Sequence, residues 1–176
     1  GPYVGIDLDP SEDWAIDFEY HHMRSSDPFT EISPNDRSAF DLRARWTGVE
    51  DLIVTGHLTE RLVTNPRHNT DIDSWSAGLG LFWTPDDDWS IQARYDYMKY
   101  DSTTDVIEYI GGIPVNPSAD YDGTTNGVTL TVTYQVSPEL RFWANGVWYR
   151  TGGTFPSDVV DADIGGEYFF TKNFGA

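Results

Sequence analysis

The sequence predicts an all-β chain, an antiparallel up-and-down transmembrane β-barrel with about nine strands, from three observations. Apolar and polar residues alternate with period two along most of the chain, and no convincing 3.6-residue stripe runs longer than a few turns. Aromatics make up 15% of the residues while the mean hydropathy is −0.47, which suits strands with one greasy and one wet face. Short acidic or polar turns alternate strictly with long polar loops.

Taken in order, the short opening strand YVGIDLD leads to Trp14, Ile16, Phe18 and Tyr20, which alternate with Ala15, Asp17, Glu19 and His21. Phe40, Leu42, Ala44 and Trp46 then face away from Asp41, Arg43 and Arg45, and Leu52, Val54, Gly56 and Leu58 from Thr55, His57, Thr59 and Arg61. Trp75, Ala77, Leu79, Leu81 and Trp83 alternate with Ser and Gly. Trp89, Ile91, Ala93, Tyr95 and Tyr97 alternate with Ser90, Gln92, Arg94 and Asp96. The cleanest alternation is NGVTLTVTYQV, with Val128, Leu130, Val132, Tyr134 and Val136 on one side and four Gly or Thr residues with Gln135 on the other. Leu140, Phe142, Ala144, Gly146 and Trp148 oppose Arg141, Trp143, Asn145 and Tyr149. Val160, Ala162, Ile164, Gly166, Tyr168 and Phe170 oppose Asp161, Asp163 and Glu167.

Short turns are expected near 10–13, 48–51, 85–88, 137–139 and 172–175, and long loops near 26–37, 64–73, 101–126 and 151–158. The residues following the turns, Trp14, Leu52, Trp89, Leu140 and Phe174, recur at intervals of roughly 35 to 50 residues, the length of one hairpin with its loop. Residues 1–176 therefore read as one meander and one structural unit.

Period two alone would also serve a soluble sandwich or a lipocalin-like barrel that binds a ligand. Three features favour lipid. The apolar half-strands have a nearly uniform reach of about nine to eleven residues, as a tilted membrane strand requires. Rings with polar edges cluster at both ends of those segments: Trp14, Trp46, Trp83, Trp89 and Tyr168 near the turns, and Tyr20, Trp75, Tyr97 and Trp148 near the loops. Finally, the opposite face is too charged for a dry core, and short turns on one rim with long loops on the other are the ordinary pattern of membrane barrels.

The formal charge of −18 repels phosphate backbones and excludes nucleic acid as a partner. With no Cys there is no disulfide framework and no thiolate site. No run approaches the length of a membrane-spanning helix, and the opening GPYVGIDLD, without Met, is expected to belong to a processed product or a fragment, with Gly1-Pro2 equally compatible with the scar of a removed tag.

Asp17, Glu19, Asp41, Arg43, Arg45, Arg61, Arg94, Asp96, Arg141, Asp161, Asp163 and Glu167 share the polar face. They either line a lumen and set a transverse field for permeating solutes, or pair across strands, for instance Asp17 and Glu19 with Arg43 and Arg45. Both readings place them inside. The acidic clusters at 85–88, 69–73 and 158–163 lack a twelve-residue calcium loop and are expected to be solvated, so no metal is assigned. His21 and His22 must point to opposite faces, His57 and His68 stand isolated, and no nucleophile turn accompanies Ser, His and Asp. Neither a cofactor nor an enzymatic activity is expected. The length of loop GGIPVNPSADYDGTTNG suits an inward-folded constriction or a ligand contact, but a mobile surface loop is the favoured expectation, with DVIEYI extending the strand pair above the membrane.

The segments SWSAGLGLFWTPDDDWSIQARYDYMKY, GVTLTVTYQVSPELRFWANGVWYR and DADIGGEYFFTKNFGA resemble hairpins of bacterial outer-membrane β-barrels, over nearly the whole chain. The resemblance implies residence in the bacterial outer membrane, lipid as a partner, and a porin-like pore or channel wall. More narrowly, the TP-acid-acid-W turn with Tyr-Asp-Tyr strand endings is similar to porin-like sheath proteins, which would imply a multihaem cytochrome, lumenal or periplasmic, as partner in an electron conduit. Barrels of this kind usually finish on a strand with a terminal aromatic residue, whereas this chain stops at NFGA. An odd strand count with a missing return strand cannot close an even antiparallel barrel, so the chain is expected to be a portion of a larger barrel, completed by further segments or by another chain, with a homo-oligomer as a further option.

Overall fold

The computed structural model describes residues 1–24, 36–65, 70–105, 108–110, 113–115, 118–171 and 174–175. Nine long strands meander in one antiparallel sheet: β1 (Tyr3–Ser11), β2 (Trp14–Arg24), β3 (Asp36–Val49), β4 (Leu52–Asn65), β5 (Thr70–Asp86), β6 (Trp89–Asp105), β9 (Ser118–Ser137), β10 (Leu140–Gly153) and β11 (Ser157–Thr171). A two-residue strand, β12 (Phe174–Gly175), pairs with β11, and β7 (Glu108–Ile110) pairs with β8 (Ile113–Val115) as a separate ribbon between β6 and β9. Every long strand lies beside its neighbour in sequence, so the order is that of an up-and-down meander. Among the described residues β1 pairs only with β2 and β12 only with β11, so the sheet does not close on itself.

Register follows parity. Trp14 faces Trp46, Ile16 faces Ala44, Phe18 faces Leu42 and Tyr20 faces Phe40, so the apolar set of β2 meets that of β3 on one side of the sheet. The same side continues through Leu58 and Ala77, Leu79 and Tyr95, Ala93 and Leu130, Leu130 and Gly146, and Ala144 and Ile164. A one-residue slip anywhere would turn these residues to the charged side, which is why the register is so well specified.

The four short turns, at residues 12–13, 50–51, 87–88 and 138–139, are built alike. At three of them a side chain just before the turn accepts the N–H two residues on: Ser11 Oγ from Asp13 (3.3 Å), Asp86 Oδ1 from Asp88 (2.9 Å) and Ser137 Oγ from Glu139 (3.3 Å). Val49 offers no such acceptor at the fourth, and there Asp51 takes the left-handed conformation instead, with φ of 61°. The last turn residue also gives its carbonyl to the next hairpin: Asp13 accepts from Thr47 N, Asp51 from Thr84 N, Asp88 from Gln135 N and Glu139 from Phe169 N.

Among the described residues the backbone of each strand comes close only to those of its hydrogen-bonded neighbours, so the sheet they form is one layer thick. Among the described residues only one apolar side chain, Ala39, is buried. Val128, Leu130 and Phe142 are exposed, and Ile164 is 85% and Leu79 64% exposed, with no second layer among the described residues to cover them. A soluble sheet of this size would place such residues against a second layer.

Strand pairing runs further than the sequence predicts at one rim. The expected loop 101–126 is largely paired: β6 continues to Asp105, β9 begins at Ser118, and the ladder joins them from Asp105 and Ser118 downward. Residues 70–73, expected in a loop, likewise belong to β5. The reason is that these stretches lie beyond the apolar belt, so they pair through their backbones without an apolar alternation to reveal it. The expected loop residues 26–35 and 66–69 with His68, and residues 172–173 of the last turn, lie outside the described residues.

Candidate lumen face and membrane girdles

The two girdles are assembled by cross-strand ring contacts. At the turn end Trp89 stacks on Tyr134 with ring centroids 4.5 Å apart, and Trp14 meets Trp46 at 6.4 Å. Trp83 lies opposite Leu52 and Ile91 in the same band, and Tyr168 opposite Leu140. At the loop end Trp75 packs on Tyr97 at 4.9 Å, and the Trp148 indole donates to Asp158 Oδ1 at 3.0 Å. Trp and Tyr rings combine an apolar body with a polar edge, which suits them to a boundary between hydrocarbon and water.

The twelve charged residues expected on the polar face all have the parity opposite to the apolar belt. Cross-strand partners make two rows. In one, Asp17, Arg43, His57, Gly78, Asp96, Gly127 and Tyr149 follow one another across six successive strand pairs. In the other, Arg45, Thr55, Gly80, Arg94 and Thr129 do the same.

Which charges actually pair differs from the expectation. Asp17 lies opposite Arg43 and Glu19 opposite Asp41, yet neither acid forms an ion pair with Arg43 or Arg45 among the described residues. Glu19 instead approaches His21 on its own strand at 3.6 Å, and Asp41 accepts the Thr59 hydroxyl at 2.8 Å. Arg94 holds Asp96 through two bonds of 2.6 and 2.9 Å, and Lys99 holds Asp101 at 2.6 Å. Residues two apart on a strand point the same way and lie about 7 Å apart, within easy reach of a long side chain. Arg141 and Glu167 do pair across strands, with the guanidinium also 5.7 Å from the Phe169 ring centroid. Asp161 lies opposite Val147 and Asp163 opposite Asn145.

His57, expected to be isolated, is not. Its Nε2 lies 3.6 Å from Asp96 Oδ1, although β4 and β6 are separated by β5. The contact spans two strand spacings, about 9.5 Å, and it forms only because the residue between is Gly78. A Cβ at Gly78 would stand 2.4 Å from His57 Cε1 and 2.6 Å from Asp96 Oδ1. Gly80 opens a second gap, beside Thr55 Oγ1, and Gly127 makes room for the Tyr149 ring. These glycines are the sequence signal for the contact, which only the register turns into a distance.

On this face Arg43, Arg45, Arg61 and Arg94 share the wall of one hollow of about 520 Å³ with Asp17 and Asp41. Among the described residues no three His, Asp or Glu side chains converge as a metal site.

A family model described as the autotransporter beta-domain matches residues 55–149. No curated protein matches the chain. Among solved structures the chain is similar to a loop-deletion mutant of OmpT, an outer membrane protein of Vibrio cholerae, at 20% identity and a TM-score of 0.55, covering 94% of this chain and 51% of that one. It is similar to the copper transporter OprC at 12% identity and a TM-score of 0.64, covering 98% and 34% of the two chains. The siderophore receptor PiuA from Acinetobacter baumannii aligns at 10% identity and a TM-score of 0.58, covering 97% and 40%. The chain thus spans between about a third and half of the length of these proteins.

Proposed function

The chain belongs to the autotransporter beta-domain family, and on that premise we propose that its sheet is the wall of a water-filled passage through the bacterial outer membrane, acting by shape and charge without catalysing a reaction. The single observation that supports this reading is the one-layer sheet with exposed apolar residues on one side and the twelve charged residues on the other. Lipid takes the first face and water the second. The short turns mark the periplasmic rim and the long connections the outer one, as in bacterial barrels generally.

A passage of this kind conducts ions in proportion to voltage. The expected result for the protein reconstituted in a planar bilayer is stepwise conductance that grows linearly with potential and with salt. Bilayers that stay silent at protein loadings where insertion is verified by protease protection would refute the passage and leave the barrel fold standing.

A further inference from the structure

The lumen-side cations fall into two classes. Arg94 and Arg141 are committed to Asp96 and Glu167. Arg43, Arg45 and Arg61 have no ion-pair partner among the described residues, although the chain carries 29 acids against 11 Lys and Arg. Those three, from β3 and β4, line the same hollow, and Arg94 closes its far side on β6. The acids on that wall are fewer than the cations, and one of them, Asp41, is already engaged by the Thr59 hydroxyl. Thr55 sits between the Arg45 and Gly80 positions in the row, its hydroxyl leans over Gly80, where a Cβ would stand 2.5 Å from it, and both residues line the same hollow as the guanidinium groups.

Like charges gathered without partners repel one another, and an acidic chain offers many ways to pair them. A guanidinium presents a planar fork of donors that matches an oxyanion, and several forks around one space make a site with a preferred guest. We propose that the hollow bordered by Arg43, Arg45, Arg61 and Thr55 is a binding site for a phosphate-sized oxyanion on a small solute. Its positive potential is local, held within a protein of formal charge −18, and the surrounding acids keep anions from settling elsewhere on the wall.

The test measures equilibrium binding of inorganic phosphate to the full protein folded in detergent micelles at low ionic strength, so it does not require the passage to conduct. Saturable binding is expected, weakened at least tenfold by the double variant Arg43→Gln with Arg45→Gln. Arg150→Gln, on the opposite face, leaves it unchanged. Arg61→Gln alone is expected to weaken binding about threefold and keeps the proposal testable should the double variant not fold. Absence of saturable phosphate binding, or equal affinity in the wild type and the folded Arg43 and Arg45 or Arg61 variants, overturns the site.

Discussion

Leu130→Arg tests directly which solvent meets the apolar face. Leu130 sits on β9 midway between Tyr134, which stacks on Trp89 in the turn-end girdle, and Asn126, which lies opposite Tyr97 in the loop-end girdle. Trp89 and Tyr97 are eight residues apart on β6. At about 3.3 Å per residue and a tilt of about 40°, the belt between them is about 20 Å tall, which puts Leu130 about 10 Å from either girdle. An arginine there meets hydrocarbon at the midplane and costs about 2 to 4 kcal/mol, a factor of about 30 to several hundred in the folding equilibrium. The control is Thr131→Arg on the adjacent residue of the same strand, which points to the opposite face and costs about 0.5 kcal/mol or less. The assay is reversible unfolding from phospholipid vesicles in guanidinium chloride, followed by tryptophan fluorescence. Equal costs for the two variants would refute the assignment of the faces, and with it the lipid belt.

Three further outcomes follow from the same geometry. Gly78→Ala places a methyl group within 2.9 Å of the Tyr95 carbonyl as well as against His57 and Asp96, so it should destabilise by about 1 to 3 kcal/mol in the same unfolding assay. Asp51→Val forces a β-branched residue to a φ of 61° and should cost about 1 to 3 kcal/mol, whereas Asp51→Gly should be neutral or slightly stabilising, as read from paired denaturant midpoints. Arg141→Gln should cost less than about 1 kcal/mol despite breaking the contact with Glu167, because the two side chains are 40% and 41% exposed and water screens them; a larger loss in the denaturant midpoint would mean that the pair is shielded from solvent.

The faces of the sheet were legible in the sequence because a period of two leaves no choice once one residue is placed. Ile91 and Arg94 could only lie on opposite sides. Turn positions were legible for a similar reason: Ser11, Asp86 and Ser137 are residues whose side chains close a turn on themselves. Strand ends at the long-loop rim were not, since Ser102 through Asp105 carry no alternation to read and are held by backbone pairing with Ser118 to Tyr121. Charge partners were the least legible. The sequence offered Arg43 and Arg45 to Asp17 and Glu19, but side-chain reach favours the residue two along the same strand, as Arg94 with Asp96 and Glu19 with His21 show. The approach of His57 to Asp96 depends on an absence, the missing side chain of Gly78, and absences acquire meaning only when register sets two neighbours on either side of them.

The carbonyls of Asp13, Asp51, Asp88 and Glu139 make the bends of this protein a linked series. Each bend is fastened to the hairpin that comes after it in the chain, by one bond a single position beyond the regular ladder. Such a rim would stiffen progressively as hairpins are added, and loosening one bend would release the first bond of its successor. The four bonds run in the same sense along the rim, from Thr47 to Phe169, so this edge has a direction as well as a shape.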